Sequence, residues 1–298
     1  MIFNLNELST AEKQYYLQHV IAPRPVCFAS TVDKEGNVNL SPFSFFNMFS
    51  SNPPIVIFSP SRRVRDNTTK HTLQNVSQVS EVVINIVTYD IVQQTSLASC
   101  EYPKGVDEFI KAGFTKEPAT MVAPPMVKES KAKLECKVLE IKSLGNEGGA
   151  GNLVICEVLC LHLDDSLLTN DKKFDQTKLE VVARLGGDWY CKVSKENLFL
   201  VPKPNVLIGI GIDALPENIR NSKVLTGNHL GKLANVQKIP NVDPDFNNEF
   251  LKGISSDLNG NYENQLHYYA TTLLDDNRVN DAWQVLLVRE SESVNYHF

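Results

Sequence analysis

Apolar and polar residues alternate with a period close to two through most of the first two hundred positions, and beyond residue 205 the spacing lengthens toward about 3.6. The pattern predicts a β-rich domain over 1–200 and a mostly helical C-terminal extension over 205–298. The proline-flanked Val201-Pro202-Lys203-Pro204-Asn205 reads as the linker. In the first strand Val26, Phe28 and Val32 share one face and the small Cys27, Ala29 and Thr31 the other, a narrow face that leaves room for something else to pack. Asp33 to Asn37 is a hairpin turn, and Val38 to Leu40 returns antiparallel. Glu81 to Val87 is apolar on both faces, with Asn85 its one polar interior position. Ala132, Leu134, Cys136 and Val138 alternate on even positions, after which Leu139 and Ile141 take over on odd ones. That switch predicts a β-bulge or barrel corner near Val138 and Leu139.

Helices are marked by their ends. Ser9 with Glu12 has capping-box spacing and opens a short amphipathic helix to about Leu17. Asp66 or Asn67 can cap a helix whose apolar side is Leu73, Val76 and Val79. Ile91 to Ser99 is helical, and 104–114 is a helical turn closed by Gly113. Asp243-Pro244 starts a helix carrying Phe246, Phe250, Leu251 and Ile254. Leu266, Ala270 and Leu273, then Val279, Trp283 and Leu286, give a final antiparallel helix pair.

Composition narrows the function classes. A net charge of -6 argues against a general nucleic-acid binder, so any bound anion needs a local basic patch. The six cysteines form no C-x-x-C pair or metal-ligand spacing, and they read as reduced thiols of a cytoplasmic protein. Cys156 and Cys160 would share one strand face, too far apart for an easy redox pair. The amino terminus lacks the features of a signal peptide, and the longest apolar run, Leu153 to Leu163, is too short to span a bilayer.

One stretch fits a simple core poorly. Asn39-Leu40-Ser41-Pro42-Phe43-Ser44-Phe45-Phe46-Asn47 mixes small polar side chains with aromatics, and each buried hydroxyl without a partner costs about 1–3 kcal/mol. Such a segment suits a planar heterocycle carrying a phosphate, or is a crowded loop between strands. Pro60 to Thr72 carries four Lys/Arg against one Asp, and Lys70 and Thr72 fall in the first turns of the following helix, where an anion is favoured. A solvated charge cluster is the plainer account. Asp107 and Glu108 point apart on a helix and make no acid/base pair; Gly145 to Asn152 lacks the Lys-Ser/Thr of a P-loop and is a hairpin loop. His162 reads as a satisfied core or edge histidine. Arg184-Leu185-Gly186-Gly187-Asp188-Trp189-Tyr190 either presents an aromatic over a ligand or closes the core. The G-x-G-x-x-A pattern at Gly209 to Ala214 is rejected as a dinucleotide fingerprint, since too few strands follow it. No metal site or catalytic acid, base or nucleophile is indicated.

Taken together, Arg24-Pro25 before a hairpin, the 39–47 stretch, Asn52-Pro53-Pro54, Lys70-His71-Thr72 with Asn75, Asp107-Glu108-Phe109 and Arg184-Leu185-Gly186-Gly187 resemble the flavin reductase-like family of FMN-binding split β-barrels, which includes flavoredoxin. The resemblance covers roughly 15–195. It implies an α+β fold, mainly β with peripheral helices: a six-stranded antiparallel Greek-key split barrel forming a homodimer, with FMN near the subunit interface. It implies that Ser30, Thr31 and the segment Ser44, Phe45, Phe46, Asn47 border the flavin, with Ser41, Ser44 and Asn47 as orienting groups. Lys70 and Thr72 would hold the phosphate, with Ser59 and Arg62 nearby. His71 stands where the family more often has Asp. The implied activity is hydride transfer from NAD(P)H, a transient co-substrate, to the flavin and onward to an acceptor. The alternative is a non-enzymatic FMN electron carrier docking a partner protein through its helical tail. Nothing in the resemblance accounts for 205–298.

Overall fold

A computed structural model describes residues 1–203, 208–246 and 261–293. The chain divides into two compact units, Met1–Phe199 and Leu200–Phe298. In the first, the strands are β1 (Arg24–Pro25), β2 (Cys27–Val32), β3 (Val38–Phe43), β4 (Phe46–Ser51), β5 (Pro54–Phe58), β6 (Glu81–Ile86), β7 (Lys116–Glu117), β8 (Met126–Val127), β9 (Ala132–Ser143), β10 (Asn152–Leu163), β11 (Val182–Arg184) and β12 (Tyr190–Lys192). Seven of them form one antiparallel sheet in the order β3-β2-β6-β9-β10-β5-β4, and β1-β11-β12 form a small second sheet.

The two edges of the large sheet are consecutive in the chain, with only Ser44 and Phe45 between them. Three Cα steps reach at most roughly 11 Å. In a flat sheet, six inter-strand gaps would hold the edges about 28 Å apart. The sheet therefore curls until its edges nearly meet, which is the expected split barrel.

The narrow face of β2 is filled. Cys27 and Ala29 are fully buried in one cluster with Phe58, Ile84, Cys136, Val154 and Cys156, so this face holds barrel core and offers no space to a ligand. The opposite face of β2 carries Phe28, with Val26 just before the strand, into a second cluster with Leu40, Ile91, Phe109 and Phe114. Phe28 meets Phe114 edge-on at 5.2 Å, and full burial of such a side chain is worth about 1.5–3 kcal/mol.

The predicted bulge is at Leu139, left without a partner between the pairs Ile155–Glu140 and Cys156–Val138. A second bulge, at Leu159, turns Cys160 away from the face of Cys156, contrary to simple alternation. Leu159 is itself apolar, so the continuous run Leu153 to Leu163 conceals the change of phase.

Four helices surround the barrel: α1 (Thr10–Val20), α2 (His71–Gln78), α3 (Val92–Ala98) and α4 (Glu108–Ala112). Both halves of the Ser9–Glu12 capping box form, yet α1 buries no residue. Tyr15, Tyr16, Leu17, Val20 and Ile21 all remain exposed. α2 begins later than the capping signal suggested. Asp66 spends its carboxylate on Thr68, holding its own pKa down at about 2, and Asn67 sits at φ 56, so Lys70 becomes the N-cap.

In the second unit Gly227–Ala234 and the helices Asn261–Asp275 and Val279–Ser293 enclose Trp283, whose indole N–H donates to Leu233 O at 3.2 Å. Most of the helix expected behind Asp243-Pro244, with Phe250, Leu251 and Ile254, lies outside the described residues. Val206 and Leu207 lie outside them as well; among 208–214 there is no strand, and Gly211, at φ 84, leads a single 3-10 turn. No helix among the described residues is long and apolar enough to cross a membrane.

Candidate functional site

The basic segment is shaped by the glycine-rich loop opposite. Arg62 donates its backbone N–H to Ala150 O at 2.8 Å and accepts from Gly149 N at 3.0 Å. A side chain on Gly148 would come within 3.0 Å of Val64 O, and Gly149 sits at φ +93, so the two backbones lie together because both positions are glycine.

Most of the segment's positive charge is already committed. Arg62 grips Asn67 through Oδ1 at 2.6 Å and its carbonyl at 2.7 Å. Arg63 donates to Thr68 and Thr69 and pairs with Glu101 at 3.0 Å. Arg65 pairs with Asp66 and Glu101. Of the four side chains, that of Lys70 alone has no hydrogen-bond or ion-pair partner among the described residues. Its ammonium lies 5.7 Å from the centre of the Phe43 ring. Burial, and then the Arg63 cation, press its pKa below the usual lysine range, with Glu101 opposing. Lys70 also caps α2 without a side-chain bond, leaving the first-turn N–H groups of His71 and Thr72 without intrahelical partners.

Lys70 stands between two cavities, one of about 650 Å³ and one of about 380 Å³. The two residues that link β3 to β4 take one each. Phe45 lines the larger with Leu17 of α1, Arg62 and Gly149. Ser44 lines the smaller with Ser96, Ser99, Arg184 and Tyr190. Arg24 fixes the surroundings: its guanidinium donates to Gln18 O at 2.6 Å, Ile21 O at 2.5 Å and Leu185 O at 2.8 Å, tying the end of α1 to the turn after β11.

The sequence-predicted residues separate into two sets. Ser44, Phe45, Arg62 and Lys70 converge on the cavities. Ser59 is next to them, its N–H donating to Phe45 O at 2.8 Å and its hydroxyl packed against Gly151. The hydroxyl of Thr72 is fully buried and accepts from Asn39 Nδ2 at 3.0 Å, while Ser41 lies 3.5 Å from the same nitrogen. Thr31 accepts from Asn75 Nδ2 at 3.2 Å. These bonds dock α2 on the rim of β2 and β3. Ser30 is wholly buried with no partner for its hydroxyl, Phe46 packs on the barrel core, and Asn47 is exposed with its Oδ1 accepting from Met48 N.

Arg24, Asn39, Arg63 and Gly149 were not among the predicted site residues. The paired glycines at 148 and 149, read only as part of a hairpin loop, also carried a signal that a second backbone approaches there.

A model of the flavin reductase like domain matches residues 20–178. An uncharacterized protein of Halalkalibacterium halodurans is 33% identical over 208 residues, covering 69% of this chain and 98% of its own length. Component B of nitrilotriacetate monooxygenase from Bacillus cereus is 28% identical with a TM-score of 0.63, covering 67% of this chain and 98% of that structure. A Shewanella frigidimarina protein described as a flavin reductase with a split barrel domain is 29% identical with a TM-score of 0.58, covering 68% and 99%. These relatives are spanned almost end to end, and about a third of this chain has no counterpart in them.

Proposed function

The chain belongs to the flavin reductase-like family, and on that premise we propose that it is an FMN-dependent oxidoreductase that takes hydride from NAD(P)H and works as a homodimer. The observation that carries the proposal is Lys70, a half-buried cation without a partner, at a helix N-terminus between two cavities. An uncompensated, partly desolvated ammonium costs stability, and an anionic ligand offsets that cost. The residues therefore fit a flavin monophosphate. FMN, when bound, supplies an isoalloxazine that accepts hydride and passes electrons to a second substrate.

In this reading Lys70 and the N–H groups of His71 and Thr72 hold the phosphate. The Thr72 hydroxyl supports them indirectly by fixing α2 through Asn39. Arg62, committed to Asn67, keeps the segment in shape. Phe45 offers an apolar wall in one cavity, and the Ser44 hydroxyl and Tyr190 offer polar contacts in the other. Burial, then the cations of Arg63 and Lys104, lower the pKa of His71, so it is neutral at neutral pH and leaves the positive charge to Lys70. A second copy of the chain would cover the exposed apolar residues Tyr15, Tyr16 and Val20 of α1 and Met48 and Phe49 of β4.

The test is the visible spectrum of the purified protein with and without FMN, before and after anaerobic addition of NADH or NADPH. Bound flavin that bleaches with a nicotinamide is the expected result. Protein that takes up no FMN sinks the proposal, and bound flavin that bleaches only with an added reductase marks an electron carrier.

A further inference from the structure

Away from the flavin cleft, the hairpin of β9 and β10 carries a second cluster of chemistry-bearing side chains. Glu135 and Cys160 are direct cross-strand partners, and His162 follows two residues along the same face. The bulge at Leu159 is what brings Cys160 there, since regular alternation would have sent it toward the barrel interior with Cys156. A carboxylate oxygen, a thiol sulfur and an imidazole nitrogen consequently lie within 4.8 Å of one another. Cys160 Sγ is 3.6 Å from His162 Nε2, and the same nitrogen is 2.6 Å from Glu135 Oε1.

Glu135 is oriented from behind. Its carboxylate accepts backbone N–H groups from Thr120 at 2.9 Å, Met121 at 2.5 Å and Val122 at 3.1 Å. Burial pushes its pKa up, but the bonds from Thr120, Met121 and His162 outweigh that and keep it anionic. The His162 side chain is 29% exposed and Cys160 is partly exposed, so the cluster is open to solvent. The nearby cations are engaged elsewhere, Lys133 with Glu117 at 2.6 Å and Lys131 with Asp90 at 3.3 Å. A histidine simply closing over a buried carboxylate explains the short N–O contact. It does not explain the thiol, which faces a nitrogen already engaged and has no other partner among the described residues.

We propose that Glu135, Cys160 and His162 bind a divalent transition ion of the zinc type, leaving a fourth position for water. Thiolate, imidazole and carboxylate bind zinc at about 2.3, 2.0–2.1 and 2.0–2.2 Å, and a tetrahedron with those bonds has an S–N edge of about 3.6 Å and an N–O edge of about 3.3 Å. The first edge is already present; the second requires His162 to retreat about 0.7 Å as the ion replaces its bond to Glu135. On binding, the thiol releases its proton to solvent. The imidazole loses to solvent the Nε2 proton it had donated to Glu135, carries its one remaining or exchanged proton on Nδ1, and gives the Nε2 lone pair to the ion. The backbone bonds to Glu135 then act as outer support. Asn152, whose side chain donates to Pro60 O beside the basic segment, is eight residues back along β10, about 25 Å away. The ion thus clamps the 120–122 turn to the hairpin and takes no part in flavin chemistry.

The full-length protein, treated with chelator and dialysed, is titrated with Zn²⁺ by calorimetry and with Co²⁺ by difference absorption. One tight equivalent per chain and a thiolate-to-Co²⁺ charge-transfer band are expected. Cys160→Ser and His162→Gln each weaken Zn²⁺ binding at least about 10-fold and remove the band. Cys100→Ser, at an exposed thiol elsewhere, changes neither. Thermal melts and flavin content confirm that each variant is folded, and if one fails to fold the other decides. Affinity no tighter than millimolar, binding that survives both substitutions, or binding lost in Cys100→Ser overturns the proposal.

Discussion

At the scale of single residues, two buried charges carry opposite lessons. Lys70 is held half-buried in a place that disfavours its charge, and the proposed phosphate would relieve it. Lys70→Met is therefore expected to weaken FMN binding by about 10- to 100-fold, the worth of a charge-assisted contact, while the flavin-free protein melts no lower than wild type. Equal FMN affinity in a fluorescence titration would place the phosphate elsewhere. Glu108 caps the outward edge of the barrel, its Oε2 accepting the N–H of Leu40 at 3.0 Å. Burial raises its pKa above the usual carboxylate value, with the Leu40 bond opposing. The folded state thus holds this proton more tightly than the unfolded chain, so stability declines as pH rises through the interval between the two pKa values. Glu108→Gln keeps the acceptor and removes the titration. Its urea midpoint is expected to exceed wild type by roughly 0.2–0.5 M at neutral pH, with the gap closing as pH falls through the carboxylate range. A gap independent of pH would contradict this account.

Among the elements, the basic segment and the glycine-rich loop form one unit with the start of α1. A methyl group on Gly149 would sit 2.8 Å from Thr10 Cγ2 at a φ of +93. Gly149→Ala is expected to cost about 1–2 kcal/mol in chemical denaturation and to lower flavin affinity by shifting Arg62 to Val64. Strands β2, β6, β9 and β10, the Leu139 bulge, the α1 capping box and the final helix pair were legible in the sequence, because each rests on periodicity or on a local capping rule, whereas β4 was hidden in a stretch whose mixed polar and aromatic residues read as a loop or a ligand wall. The start of α2 was misread because two acidic or amide caps preceded it and only the fold assigns Asp66 to Thr68. The narrow face of β2 was legible as a place where something packs, but its occupant was not, because small residues look the same whether they leave space for a ligand or for the far wall of a barrel. Of the residues that line the candidate site, Lys70, Ser44 and Phe45 stood out in the sequence through the basic segment and the mixed polar–aromatic stretch. Arg24 and Asn39 were not, since their partners Leu185 and Thr72 are distant in sequence.

For the whole molecule, α1, which lines the larger cavity, and β4 leave apolar side chains in water. In the proposed homodimer these residues form the subunit contact, and Phe49→Asp is expected to shift the protein toward monomer in sedimentation velocity and to reduce retained flavin. An unchanged dimer would put the subunit contact on another face. One further consequence belongs to the link between β3 and β4. Ser44 and Phe45 look into different cavities yet share a peptide plane, and a connection that short has no slack. It can pivot but not stretch. The closure of the barrel is therefore a shared wall, and lengthening or shortening this link by one residue displaces the linings of both chambers together.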